Sequence, residues 1–79
     1  MFRTLVKSDA VAVDDQQVPV RYFELRTLRG ARRYSAEILL GPGDRIILDD
    51  DSVTNLEART LRLVPATLYS RLLASRTAA

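Results

Sequence analysis

Three successive aspartates, Asp49-Asp50-Asp51, with Asp44 just before them, are the densest group of ionisable side chains in the sequence. Carboxylates so placed could bind a divalent cation through oxygen, or work as an acid–base pair. The spacing argues against both. A calcium loop of the EF-hand type needs acids at alternate positions, a central glycine and a closing glutamate. Side chains adjacent in sequence rarely converge on one substrate atom. The expected role is a strand-to-helix turn whose carboxylates cap the helix, with no metal and no cofactor.

Arginine supplies the second chemistry. Eleven of the twelve basic residues are arginine, which suits two-pronged contacts to phosphate or carboxylate. Arg26, Arg29, Arg32 and Arg33 flank Gly30. A two-stranded ribbon tipped with these four could lie along a nucleic-acid groove and contact phosphates. Tyr22 and Tyr34 would add stacking faces if exposed. The plainer role is a solvated hairpin tip that guards an edge against pairing with another chain. Gly41-Pro42-Gly43 is a turn and not a phosphate loop, because no Lys-Ser/Thr follows it.

The chain has neither cysteine nor histidine. That excludes disulfides, thiolate nucleophiles, cysteine–histidine zinc sites and the histidine-based catalytic triads. No enzyme activity and no small-molecule substrate are expected. A net charge of +2 is too small to argue for nucleic acid by itself, but its distribution is uneven. Residues 21–33 carry +4, residues 34–51 carry −4, and the stretch from Ser52 onward returns to +3.

The elements that must position these groups follow from hydrophobic rhythm. At 79 residues, 47% hydrophobic and 28% charged, the chain fits one globular domain, residues 1–79. Phe2 to Lys7 alternates weakly and reads as a short strand instead of a signal peptide, and Ala10 to Val13 reads as another. Whether residues 1–17 join the sheet stays open at this level. Asp14 to Gln17 is a polar break. Val18 to Arg29 is rich in β-formers, with Pro19 near its start and the neighbours Tyr22 and Phe23 directed to opposite faces. Gly30 marks a tight hairpin turn, centred on Arg29-Gly30 or Gly30-Ala31. Arg32 to Leu40 alternates, with Tyr34, Ala36, Ile38 and Leu40 on one face and Arg33, Ser35 and Glu37 on the other. A turn at 41–44 and a strand over 45–49 complete a meander, with Ile46 and Leu48 opposite Ile47.

Near residue 51 the period changes from two to 3.6. Val53, Leu56, Thr60, Leu63 and Val64 share one helical stripe, and Asn55, Arg59 and Arg62 fall opposite. Asp51 or Ser52 is the expected N-cap. Pro65 should end this helix and open a second over 66–76, with 77–79 frayed. In that second helix Leu68, Tyr69, Leu72 and Leu73 form an apolar side for which so short a chain has little core left.

The expected architecture is therefore α+β: an antiparallel meander of three or four strands, followed by two C-terminal helical segments packed on one face. The expected function is a small cytoplasmic protein–protein interaction module. It would be a homodimer or a subunit of a larger assembly, acting through the sheet edge or the Leu68–Leu73 face. The alternative is a nucleic-acid binder acting through the arginine hairpin. No membrane association is expected, since no apolar run approaches a bilayer span.

Overall fold

Three turns fold residues 3–50 into one antiparallel sheet. The computed structural model describes residues 3–77. Its strands are β1 (Arg3–Val13), β2 (Gln16–Arg26), β3 (Arg32–Gly41) and β4 (Asp44–Asp50), in the spatial order β1-β2-β3-β4, and one helix, α1 (Val53–Thr77), follows. Residues 3–17 thus do join the sheet. The two short strands read in 2–13 are a single strand, of which Phe2 lies outside the described residues. So do Ala78 and Ala79 of the segment expected to fray.

Each turn uses a backbone conformation that its residues tolerate. Asp14, between the paired Val13 and Gln16, has φ 52°, in the left-handed region where aspartate is favoured among non-glycine residues. Pro42-Gly43 joins β3 to β4, with Gly43 at φ 69°, as a type II arrangement of Pro then Gly requires. The β2–β3 turn differs from the tight two-residue turn expected. Arg26 and Arg32 are the last pair, Thr27 and Ala31 are bridged, and the Gly30 N–H donates to the Thr27 carbonyl. Leu28 and Arg29 form the centre, and Gly30 follows at φ 81°. This is the longer hairpin loop that ends in a left-handed glycine.

A bulge sets which residues of β1 face the helix. The β1–β2 register shifts between Leu5 and Lys7, so Leu5 opposes Phe23 while Lys7 opposes Tyr22. Val6 is the extra residue, and after it Lys7, Val11 and Val13 share the helix side with Val18, Val20 and Tyr22. The β2–β3 ladder starts at Val20, which leaves Pro19, with no N–H to give, just outside it.

The core lies between the sheet and the first half of α1. Val11, Val18, Val20, Tyr22, Ala36, Ile38, Leu56 and Val64 are buried together, with Tyr34, Leu40, Ile46, Leu48, Val53 and Leu63 packed around them. The stripe expected from the 3.6 period is the one observed. Inside it, the Thr60 hydroxyl donates to the Glu57 carbonyl at 2.9 Å. Its single proton is thereby used, so the Tyr22 hydroxyl donates to Thr60 Oγ1 at 3.0 Å. This pair of buried hydroxyls is satisfied without water.

The expected break at Pro65 does not occur. One 25-residue helix replaces the two helical segments. Proline in a helix interior removes one hydrogen bond, here to the Leu61 carbonyl. Leu61, Pro65 and Ala66 are all exposed, so water reaches the carbonyl that loses its donor. The helix begins as expected, with Ser52 as the cap: its Oγ accepts from the Asn55 N–H, and its carbonyl accepts from the Leu56 N–H.

At 1.5 Å per residue α1 is about 37 Å long, and it runs off the end of the sheet. The described chain extends 49 Å in its longest direction with a radius of gyration of 14.2 Å. A compact chain of this length would have a radius near about 12 Å. Among the described residues no helix is long and apolar enough to cross a membrane.

Candidate functional site

The run Asp49-Asp50-Asp51 is built into the strand-to-helix junction. Asp49 accepts from Arg33 at 3.0 Å. Asp50 accepts from the Asp51 N–H, from the Asn55 side-chain amide and from Arg59, which also donates to the Asp49 carbonyl. Arg59 is therefore half-buried against β4 and is not fully turned to solvent as the helical wheel placed it. Hydrogen bonding from Asp51 and Asn55, then from Arg59, holds the Asp50 carboxyl down to about 2 from its ordinary 3.8. Among the described residues no group of acids is arranged to hold a metal ion.

A depressed carboxyl pKa has a defined sign in stability. The contribution of Asp50 is fully present above its unfolded value and is lost as pH falls through the folded one, that is, between about 4 and 2. The stability difference between the wild type and Asp50→Asn is expected to shrink across that window in thermal melts. A difference that stayed constant from pH 6 to about 2 would show that the junction does not depend on the ionised form.

The four arginines of the hairpin do not form one surface. Arg32 and Arg33 are neighbours in an extended strand, so they point to opposite faces. Arg26 and Arg32 lie opposite one another on the helix side and share Glu24, at 3.5 and 3.7 Å. Arg33 lies on the other face against Asp49. Arg29 sits alone at the exposed tip. Nor are the two tyrosines available for stacking: Tyr22 is buried, and Tyr34 packs against the core.

No protein-family model, no curated protein and no solved structure matches the chain. Its own geometry is what bears on function, and two further surfaces stand out.

The first is the far end of α1. Leu56, Thr60 and Val64 are 0–1% exposed at successive i, i+4 positions, and Leu68 is half-buried against the core. Leu72 continues the same row at 52% exposure, next to Tyr69 at 64% and the partly exposed Leu73. Every side chain from Tyr69 to Ser75 is exposed. A groove of about 760 Å³ separates this part of the helix from the β1–β2 turn, with Val13, Asp14, Asp15, Leu68, Tyr69 and Leu72 on its walls. Arg71 reaches Asp44 at the start of β4 and anchors the helix at the same end. The β1 edge of the sheet is a poorer docking place. β1 is broken by its bulge, and Lys7 is turned inward to Glu57 at 3.1 Å, with its ammonium over the Tyr22 ring. Glu57 holds the Lys7 pKa above its ordinary value.

The second is the sheet face opposite α1, which the sequence reading did not single out. Glu37 stands at its centre with only 2% of its side chain exposed. Arg21, directly across on β2, donates to Oε1; Arg45, diagonal on β4, donates to Oε2 at 2.9 Å; Arg3 comes to 4.0 Å of the same oxygen. The Arg3 guanidinium also lies 4.0 Å from the Phe23 ring centroid. It shields that ring on a face without a covering element, which is how Tyr22 and Phe23 can both be buried. Alternation in β3 had put Glu37 on this face. The signal that would have found the cluster is strand register, which alone sets Arg21 across from Glu37.

Proposed function

We propose that the chain is a small, non-enzymatic, cytoplasmic self-association module, in which two copies pair through the end of α1 that leaves the sheet. The observation that carries this reading is the apolar row that continues past the core, from Leu68 to Leu72 with Tyr69 beside it. A helix draws most of its stability from packing its apolar face, and a two-turn extension in water gains little by itself. A second copy of the same helix end supplies that packing. A two-fold axis brings like patches together, and an apolar patch is complementary to itself. The acidic Asp14-Asp15 turn across the groove, with Arg71 and its partner Asp44 beside it, gives the patch a charged rim, which would fix the register of the pair.

The arginine hairpin lends less support to nucleic-acid binding, because its four guanidiniums divide between two faces and three of them already meet carboxylates.

Sedimentation equilibrium tests the proposal. The wild type is expected at twice the 8.9 kDa chain mass, and Leu72→Glu at the chain mass with unchanged helix content. A single 8.9 kDa species at every concentration of the wild type would overturn it.

A further inference from the structure

We infer that the open face of the sheet carries a binding site for a phosphate monoester dianion, formed by Arg3, Arg21 and Arg45 above Glu37. Three guanidiniums converge on the two oxygens of one carboxylate, two of them on the same oxygen. Glu37 neutralises one of the three, and among the described residues no other carboxylate pairs with the two positive charges that the cluster keeps. The nearest other acid on this face, Asp49, is taken by Arg33. A phosphate monoester carries about −1.5 to −2 near neutral pH, which is the missing charge. A phosphodiester, with one negative charge, would leave the cluster half neutralised.

The donors to receive it are present. A guanidinium has five N–H groups, and each of these three uses at most part of that set on Glu37. Their side chains are 50%, 46% and 59% exposed, while buried Glu37 holds the Arg21 and Arg45 heads by hydrogen bonds and the Arg3 head rests over the Phe23 ring. Arginine bound in this way is preorganised for bidentate contact with phosphate oxygens. A shallow groove of about 410 Å³ starts at Arg3 and continues between Leu25, Ser35 and Ile47 to Arg33. Its largely apolar floor gives the organic part of the ester a place to lie. This site is separate from the helix end and does not depend on self-association.

Titration followed by the arginine side-chain NMR signals tests it, with inorganic phosphate and with a short single-stranded oligonucleotide bearing or lacking a 5′-phosphate. Inorganic phosphate and the phosphorylated oligonucleotide are expected to give saturable shifts at Arg3, Arg21 and Arg45, and the unphosphorylated one at least about tenfold weaker binding, since each of its phosphodiesters carries a single charge. Arg45→Gln keeps a donor toward Glu37 but removes a charge, and should weaken phosphate binding about tenfold. Arg21→Gln, on the other oxygen of Glu37, should weaken it by about the same factor. Absence of saturable shifts, equal binding of the unphosphorylated oligonucleotide, or unchanged affinity in Arg45→Gln would each overturn the assignment.

Discussion

Leu56→Ala should lower folding stability by about 2 to 5 kcal/mol, the range for emptying a fully buried leucine site. Leu56 is 0% exposed and lies in the cluster with Ile38, Val20 and Val64. The cost combines the lost transfer of the side chain from water with the cavity left behind, and a sheet tied by three ladders cannot easily collapse into that cavity. For 79 residues, total stability of about 4 to 12 kcal/mol is expected, so the loss is a large fraction of the whole. Each kcal/mol moves the melting temperature by about 4 to 8 °C in a domain of this size. Melts of both proteins at one concentration measure it, since self-association adds to apparent stability. A shift below about 4 °C would mean that α1 does not pack on the sheet through this face.

Pro65→Ala is expected to act in the other direction. Alanine in a helix interior is favoured over proline by about 3 kcal/mol. Part of that is offset because proline also restricts the unfolded chain, an effect of about 1 kcal/mol. A net gain of about 1 to 2 kcal/mol should appear as a higher urea midpoint at an unchanged slope. The physical basis is the Leu61 carbonyl, which would recover its intrahelical donor, at a position where the side chain is exposed and a methyl group meets no obstacle. Unchanged or reduced stability would indicate that the chain turns at Pro65 and that two helices, not one, follow the sheet.

This second result bears directly on what sequence reading can resolve. A proline signals a lost hydrogen bond in any helix. Whether the helix ends there depends on whether the orphaned carbonyl is reached by water and on whether the residues beyond continue the same packed row. Val64 and Leu68 do continue it, on either side of Pro65. That continuity belongs to the contact with the sheet. The β2–β3 turn differs from the expected one for a related reason. Glycine permits positive φ and so suggests a turn centre, but Gly30 fills the position after the turn, and only the Arg26–Arg32 pairing fixes that register. The split of Arg26, Arg29, Arg32 and Arg33 was legible in principle from strand alternation; their pairing with Glu24 and Asp49 was not.

The sequence alone determined a meander of three or four strands, the faces of β3 and β4, the helical stripe through Leu56, Thr60 and Val64, and a cap at Asp51 or Ser52. Each of these is a local matter of side-chain period or of backbone groups within a few residues. Tertiary structure alone decided that α1 is continuous, that a bulge at Val6 turns Lys7 toward the helix, and that Arg3, Arg21 and Arg45 meet over Glu37. The continuity of α1 depends on its contact with the sheet, and the bulge and the arginine cluster depend on register between strands. A shift of one residue reverses every side chain, and residues from four separate strands become neighbours only after the sheet has formed.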